Sequence, residues 1–290
     1  MPEPGVHFTF EQQPVRFRSV ADDDHMLRLM RQTGTFYEQD VLLRLRDRLQ
    51  AGGRRGAAID AGGFIGTHSV FLRKFCGLQP VLTFEASPGN HAILRDNLQA
   101  NGVGDDVIAV NLALGAQPGH AAVLSAEEAN RGRTRVELGS TAAGHASIPV
   151  TTLDTEVQNR QLPPVAAIKI DVEGVELEVL RGGLHVITSH RPVLCIEIHS
   201  ADHLRQALAL LNPGRYWIVD CLGYSPTYLL EPCPDITPEP RRHQVNQLWI
   251  RRAQLPRSWS FLRKFLRRRA QKLAGTRWDP PPKPRRSPAS

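Results

Sequence analysis

The chain is poor in the features that mark several common protein classes. Only 4 of its 290 residues are cysteine. Cys76, Cys195, Cys221 and Cys233 are widely spaced and form no C-x-x-C pair. That pattern argues against a disulfide framework or a cysteine-rich zinc site, and for buried thiols in a reducing cytoplasm. No apolar run reaches the roughly 18 residues that a membrane-spanning helix needs. The first residues, M-P-E-P-G-V-H-F-T-F, lack the basic start and apolar core of a signal peptide. There is no internal repeat. No G-x-G-x-x-G occurs, so the usual dinucleotide fingerprint is missing. Acids are scarce in one place: residues 251–290 hold 13 Lys and Arg against the single acid Asp279. The rest of the chain carries 23 basic and 28 acidic residues. The high overall pI therefore describes a tail, and does not make the mildly acidic body a nucleic-acid binder.

What is present is an alternation of short apolar runs with helical periods. Two helical pieces span Asp24 to Leu49, broken at Gly34-Thr35 and ended by Gly52-Gly53. Strands follow at Ala57 to Ile59, Val81 to Phe84, Val107 to Leu112, Ile148 to Thr152, Ala166 to Ile170 and Val193 to Ile198. Helices are read at Thr67 to Phe75, from Ser87-Pro88 to Asn101, from Leu153-Asp154, at Val175 to Arg181 and at His203 to Leu211. Tyr216 to Val219 and Gln247 to Ile250 are read as a closing strand pair. Strands alternating with helices imply right-handed βαβ units and a mainly parallel α/β sheet with helices on both faces. Gly115 to Ser147 reads as irregular strands or a flap.

Ligands of such sheets bind beyond the carboxyl ends of the strands. Two strand ends stand out. The first is A-A-I-D-A-G-G-F-I-G, where Asp60, Gly62, Gly63 and Gly66 open a helix. A carboxylate two residues before the first glycine would repel a pyrophosphate but suit a cationic sulfonium or amine. Glu85, at the tip of the next strand, can accept both hydroxyls of a ribose. Asp60 with Glu85 thus fits S-adenosylmethionine better than NAD. Asn111 or its neighbours would border the adenine. The bland alternative is a tight strand–helix turn and nothing more.

The second edge is V-A-A-I-K-I-D-V-E-G-V-E-L-E. A hydroxyl acceptor needs proton removal, for which a carboxylate or imidazole can serve. The candidates are Asp171 and Glu173 here, and Glu197 and His199 two apart on the neighbouring strand. Asp171 or His199 is the expected base, with Glu173 and Glu197 orienting substrate. The same four groups could hold a divalent ion, although no metal is expected. Glu173 could instead cap the following helix, and Glu197 could pair with Lys169. His68 reads as a packing or capping residue. Arg131, Arg133 and Arg135 either grip an acidic acceptor or form a solvated face.

The segments I-D-A-G-G-F-I-G-T-H-S, T-F-E-A-S-P-G-N, N-L-A-L-G, T-L-D, I-K-I-D-V-E-G-V-E-L-E-V-L-R-G and C-I-E-I-H resemble the FkbM-type methyltransferases over roughly residues 35 to 250. The resemblance implies a class I methyltransferase (Rossmann-like) fold, S-adenosylmethionine as donor, and O-methylation of a sugar, glycan or natural product. Tyr37-Glu38 matches a pair frequent in the family ahead of the first strand, which adds both residues to the cofactor set. The family turn usually reads D-x-G-A-N-x-G; here Gly63 and Phe64 stand in place of Ala-Asn. The rival readings are an NAD-type oxidoreductase and a non-catalytic binding module on the same scaffold.

This reading divides the chain into a helical cap at 1–50, a methyltransferase domain at 51–252 and a basic, Pro-rich tail at 253–290. Within the tail, Trp259, Leu262, Phe265, Leu266 and Leu273 recur near helical spacing among Arg263, Lys264 and Arg267 to Arg269. A basic amphipathic helix of this kind suits an anionic membrane surface; the alternatives are docking on a partner protein, contact with nucleic acid, or packing on the domain with its charges in solvent. The expectation is a cytoplasmic protein, peripheral at the inner membrane surface if the tail acts in that way.

Overall fold

The computed structural model describes residues 5–19, 24–124, 135–140, 146–223 and 225–276. An antiparallel hairpin, β1 (Val6–Phe10) and β2 (Gln13–Phe17), comes first. Its phenylalanines join Phe36, Phe71 and Phe75 in one aromatic cluster, with ring centroids 4.9 to 6.0 Å apart. Helix α1 (His25–Thr33) is capped by the Asp24 carboxylate and ended by Gly34 at φ 64. Helix α2 (Gln39–Ala51) follows.

The alternating core then runs β3 (Ala57–Ala61), α3 (Thr67–Lys74), β4 (Val81–Phe84), α4 (Pro88–Ala100) and β5 (Val107–Val110). Ser87 caps α4, and Pro88 takes an early position where its missing N–H costs nothing. A short β6 (Ala113–Leu114), then β7 (Gly119–Leu124), β8 (Arg135–Leu138) and β9 (Ala146–Thr151), build a separate four-stranded sheet in the order β6-β9-β7-β8. The segment read as irregular strands is therefore partly a sheet of its own. Thr152 caps α5 (Leu153–Asn159). Next come β10 (Val165–Ile170), α6 (Glu176–Gly182), α7 (Leu184–His190), β11 (Val193–Glu197) and α8 (Ala201–Leu210). The chain continues through β12 (Tyr216–Leu222), β13 (Thr227–Pro232), α9 (Glu239–Gln254) and α10 (Ser260–Ala274).

The main sheet has seven strands in the order β5-β4-β3-β10-β11-β13-β12. Strands β5, β4, β3, β10 and β11 pair in parallel, and β13 is antiparallel to both neighbours. This is the mainly parallel sheet with a closing antiparallel pair that defines the class I methyltransferase arrangement. Strands β3, β4 and β10 are buried at every position, as parallel strands covered on both faces must be.

The closing pair is made differently from the sequence expectation. Tyr216 does begin one strand, but its partner is Thr227–Pro232. Gln247 to Ile250 lies inside α9, which buries Val245, Leu248, Trp249 and Ile250. A Leu-Trp-Ile run on a buried helix face looks like a short strand when periodicity is the only guide. Helix α10 packs on α9 and β12. Fully buried Asp220 ties β12 to α10 and α2: Arg267 donates to it from α10 at 2.9 and 3.1 Å, Gln271 at 2.9 Å, and the Arg44 guanidinium of α2 lies at 3.3 Å. Arg131 and Arg133 lie outside the described residues, as does the Pro-rich end.

Candidate functional site

The carboxyl ends of β3, β4 and β10 open onto one cavity of about 810 Å³, counting its mouth. Six residues singled out in the sequence line it: Tyr37, Gly62, Gly63, Glu85, Asp171 and Glu173. Glu38 and Glu197 line a smaller neighbouring cavity of about 340 Å³. His199, with Glu173, lines an open groove further out, beside Val136 and Glu137 of β8. Asp60, Gly66 and Asn111 line none of these.

The glycine turn is shaped from inside the protein. Gly62 sits at φ 84, and a Cβ there would stand 1.8 Å from the Asp171 carbonyl oxygen at the end of β10. A Cβ on Gly63 would meet Thr83 Oγ1 at 2.2 Å. Thr83 and Leu94, whose Cδ1 would stand 2.7 Å from that Cβ, therefore fill the space that a side chain at position 63 would need. Phe64 follows at φ 46, in a left-handed conformation that asparagine tolerates better than an aromatic residue. Gly66, at φ 89, starts α3. The close approach that these glycines permit is to the protein's own backbone and Thr83.

Glu85 is buried at the tip of β4. Its Oε2 accepts from the Phe64 N–H at 2.9 Å, and its Oε1 from the Ser87 N–H at 2.8 Å. Burial outweighs these bonds and pushes its pKa up to about 7. Asn111 stays behind this loop, where its amide donates to the Glu85 and Ala86 carbonyls at 2.7 and 3.1 Å. Its neighbours Leu112, Ala113 and Leu114 reach the cavity instead.

Asp60 is fully buried and lines neither cavity. Its Oδ2 accepts from Ser69 Oγ at 2.6 Å, and its Oδ1 lies 3.5 Å from Lys169 Nζ. Within the protein its carboxylate thus lies beside a cationic side chain. Lys169 is the group the sequence reading undervalued. Its Nζ donates to the Gly62 carbonyl at 2.8 Å and lies 3.4 Å from Asp171 Oδ2. Burial pulls Lys169 down, but Asp171 and Asp60 prevail and raise its pKa above the ordinary lysine value, so it stays charged. A lysine inside an otherwise apolar strand must find anions, and that is the signal that could have found it.

At the second edge, burial is the largest influence on Asp171 and opposes its ionisation, yet the Lys169 charge, His68 and the hydrogen bonds from Glu197 and Lys169 together hold the carboxyl below its ordinary value. Asp171 keeps 27% of its side chain open. Glu197 behaves oppositely. Burial, then the Asp171 charge, push it up to about 8. The two carboxyls hydrogen-bond each other, so at neutral pH Glu197 carries the proton and Asp171 the charge. Glu197 Oε1 also lies 3.0 Å from His199 Nε2, and His199 is 60% exposed. Lys169, Asp171, Glu197 and His199 therefore form one line from the cavity to solvent. Glu197 pairs with Asp171 and His199, not with Lys169. Glu173 sits at φ 56 just before α6, whose N-cap is Val175 without a side-chain cap.

Two further groups complete the surroundings. Glu38, itself at φ 51, is pushed to about 7 by burial and then by Asp171. His68 lines both cavities, and burial lowers it to about 4, leaving a neutral imidazole. Burial also raises Tyr37 above its ordinary value, so it remains a phenol. Among the described residues no group of three or more His, Cys, Asp or Glu is arranged to hold a metal ion.

Comparison with known proteins places this geometry in context. The model of the methyltransferase FkbM domain matches residues 56–225. A curated relative, the hexuronic acid methyltransferase AglP of Haloferax volcanii, is 27% identical over 178 residues, covering 61% of this chain and 69% of the relative. A crystal structure of methyltransferase FkbM from Methylobacillus flagellatus aligns with TM-score 0.44 and 17% identity, over 61% of this chain and 43% of that one. The chain thus spans less than half the length of that protein. Precorrin-6y C5,15-methyltransferase from Geobacter metallireducens aligns with TM-score 0.43 and 14% identity, over 74% of this chain and 92% of its own.

Proposed function

The chain belongs to the FkbM methyltransferase family, and from that premise we propose that it moves the methyl group of S-adenosylmethionine to a hydroxyl oxygen of a sugar, glycan or related natural product. The family sets aside the NAD-type oxidoreductase. One observation carries the rest: a single cavity places the Glu85 carboxylate at one strand tip and the Asp171 carboxylate at another.

The residues present suit this donor. Glu85 faces the cavity with acceptor capacity beyond its two backbone donors. When bound, the donor supplies an electrophilic methyl carbon on a cationic sulfur. Glu85 would accept from the ribose hydroxyls, and Leu112 to Leu114 would lie against the base. Asp171, kept ionised by Lys169, would take the proton of the acceptor hydroxyl, whose oxygen the bound donor would methylate. Glu197 passes the proton to His199, which releases it to solvent. The acceptor enters by the groove of Glu137, Glu173 and His199. The sugar class rests on AglP, a hexuronic acid methyltransferase.

A second reading, a donor-binding module without turnover, draws on Phe64, which stands where the family turn usually has asparagine. Calorimetry of the full chain with S-adenosylmethionine and with NAD, paired with mass spectrometry of cell extracts with and without the protein, separates the readings. Donor binding together with a mass gain of one methyl group on a glycan supports methyl transfer. Donor binding with no methylated product favours the module, and no donor binding sinks both.

A further inference from the structure

Helix α10 has two faces, and only one is used by the domain. Its inner face carries Arg267 and Gln271 on Asp220, with Ala270 and Ala274 buried. Residues on the opposite side follow from the 100° step of a helix. Phe261 and Phe265 lie near the centre of that outer side and are 84% and 50% exposed. Leu262 flanks them, and Trp259, 55% exposed, stands one residue before the helix begins. Arg268, Arg269 and Lys272 share or border the same outer side, Lys264 lies at its boundary with the inner side, and all four are exposed.

Such exposed aromatic rings cost free energy in water, and apolar patches of this kind mark surfaces that meet something. The surrounding charge says what. Residues 251–276 contain nine Lys and Arg and no acid, while the rest of the chain before them is net acidic. An anionic partner is drawn to this face and repelled by the body. Binding to phosphate groups alone would use the cations and leave the rings wet. A bilayer interface takes both, with rings at the headgroup boundary and cations on anionic lipids. The helix has 15 residues, and no described helix is long and apolar enough to cross a membrane, so it would lie on the surface.

We propose that the outer face of α10 docks on an anionic lipid bilayer through Trp259, Phe261, Leu262 and Phe265, with Lys264, Arg268, Arg269 and Lys272 on the headgroups. The docked inner face stays in place, so the domain is held at the membrane by its own closing helix. This does not depend on the identity of the acceptor.

The test is co-sedimentation of the full chain with phosphatidylcholine vesicles, with and without phosphatidylglycerol. Binding to the anionic vesicles should be at least about tenfold tighter than to the neutral ones, and should weaken with salt. The double substitution Phe261→Ala with Phe265→Ala should lower it about tenfold or more. Its thermal unfolding midpoint should not change, because both rings are already exposed. No partitioning onto anionic vesicles would overturn the proposal. So would full retention of binding in the double variant. The same holds if an RNA oligonucleotide displaces the vesicles and binds the double variant equally well. A double variant that breaks a dimer of the wild-type chain while vesicle binding persists would also overturn it.

Discussion

The two strand-end edges of the sheet carry similar residues in opposite states. At the β3–β4 edge, protein donors hold each carboxylate. Asp60 is held by Ser69 and Lys169, and Glu85 by two backbone N–H groups and Asn90. At the β10–β11 edge the carboxyls hold each other. Asp171 and Glu197 share a proton, and Glu197 reaches an exposed imidazole. Donors fixed on a carboxylate make a frame; a shared proton makes a relay. The same residue type thus serves to position at one edge and to move protons at the other. Lys169 connects them by touching Asp60, Gly62 and Asp171.

If this division holds, the largest effect falls on turnover. Asp171→Asn keeps the shape and removes the base, and should lower the methyl-transfer rate about a hundred- to ten-thousand-fold. Single-turnover assays on the acceptor found by mass spectrometry would measure it; a variant within about tenfold of wild type would break the comparison. Glu85→Gln should act on the other edge, weakening donor affinity about ten- to a hundredfold, the value of one charge-assisted hydrogen bond. Calorimetry with S-adenosylmethionine reads this.

The frame itself can be strained. Gly63→Ala pushes a methyl group against Thr83 and should cost about 1–3 kcal/mol in denaturant unfolding. Adding Thr83→Ala should recover part of that loss, since it removes the nearer of the two side chains, Thr83 and Leu94, that the new methyl group meets. Equal costs in the single and double variants would show that the turn is shaped by something else.

The smallest effect is a slope. Glu197 keeps its proton to about pH 8 when folded, against an ordinary value of 4.5. Between those values the folded chain binds more protons than the unfolded one, so stability falls as pH rises. Glu38 and Glu85, both near 7, add to this. His68 opposes it below 6.5, because the unfolded chain takes up a proton that the buried ring refuses until about pH 4. Three acids outweigh one imidazole, so the donor-free protein should lose stability from about pH 5 to pH 8. Thermal melts of Glu197→Gln over that range should show a shallower decline. An unchanged slope would place the shared proton elsewhere.

Much of this frame was legible in the sequence, and the reasons are local. Val81–Phe84 and the helix opened at Ser87-Pro88 were readable because a buried parallel strand is a plain apolar run and Ser-Pro is a helix start. Glu85, Asp171 and Glu173 were readable because polar groups at strand ends stand against apolar runs. The direction of Asp60 was not. Both faces of β3 are buried, so alternation does not say which side is the cavity. Strand β13 escaped because Thr-Tyr-Leu-Leu-Glu-Pro is short and contains proline, while the Leu-Trp-Ile run of α9 imitates a strand. The Asp171–Glu197–His199 line needs the register of two strands and the loop beyond, which spacing along one chain cannot supply.

The division of labour rests on one quantity, the affinity for S-adenosylhomocysteine measured by calorimetry on the full chain and on the Glu85→Gln and Asp171→Asn variants. The account predicts a clear loss in the first variant and near wild-type affinity in the second. Equal loss in both, or loss only on changing Asp171, would show that the two edges do not divide the work in this way.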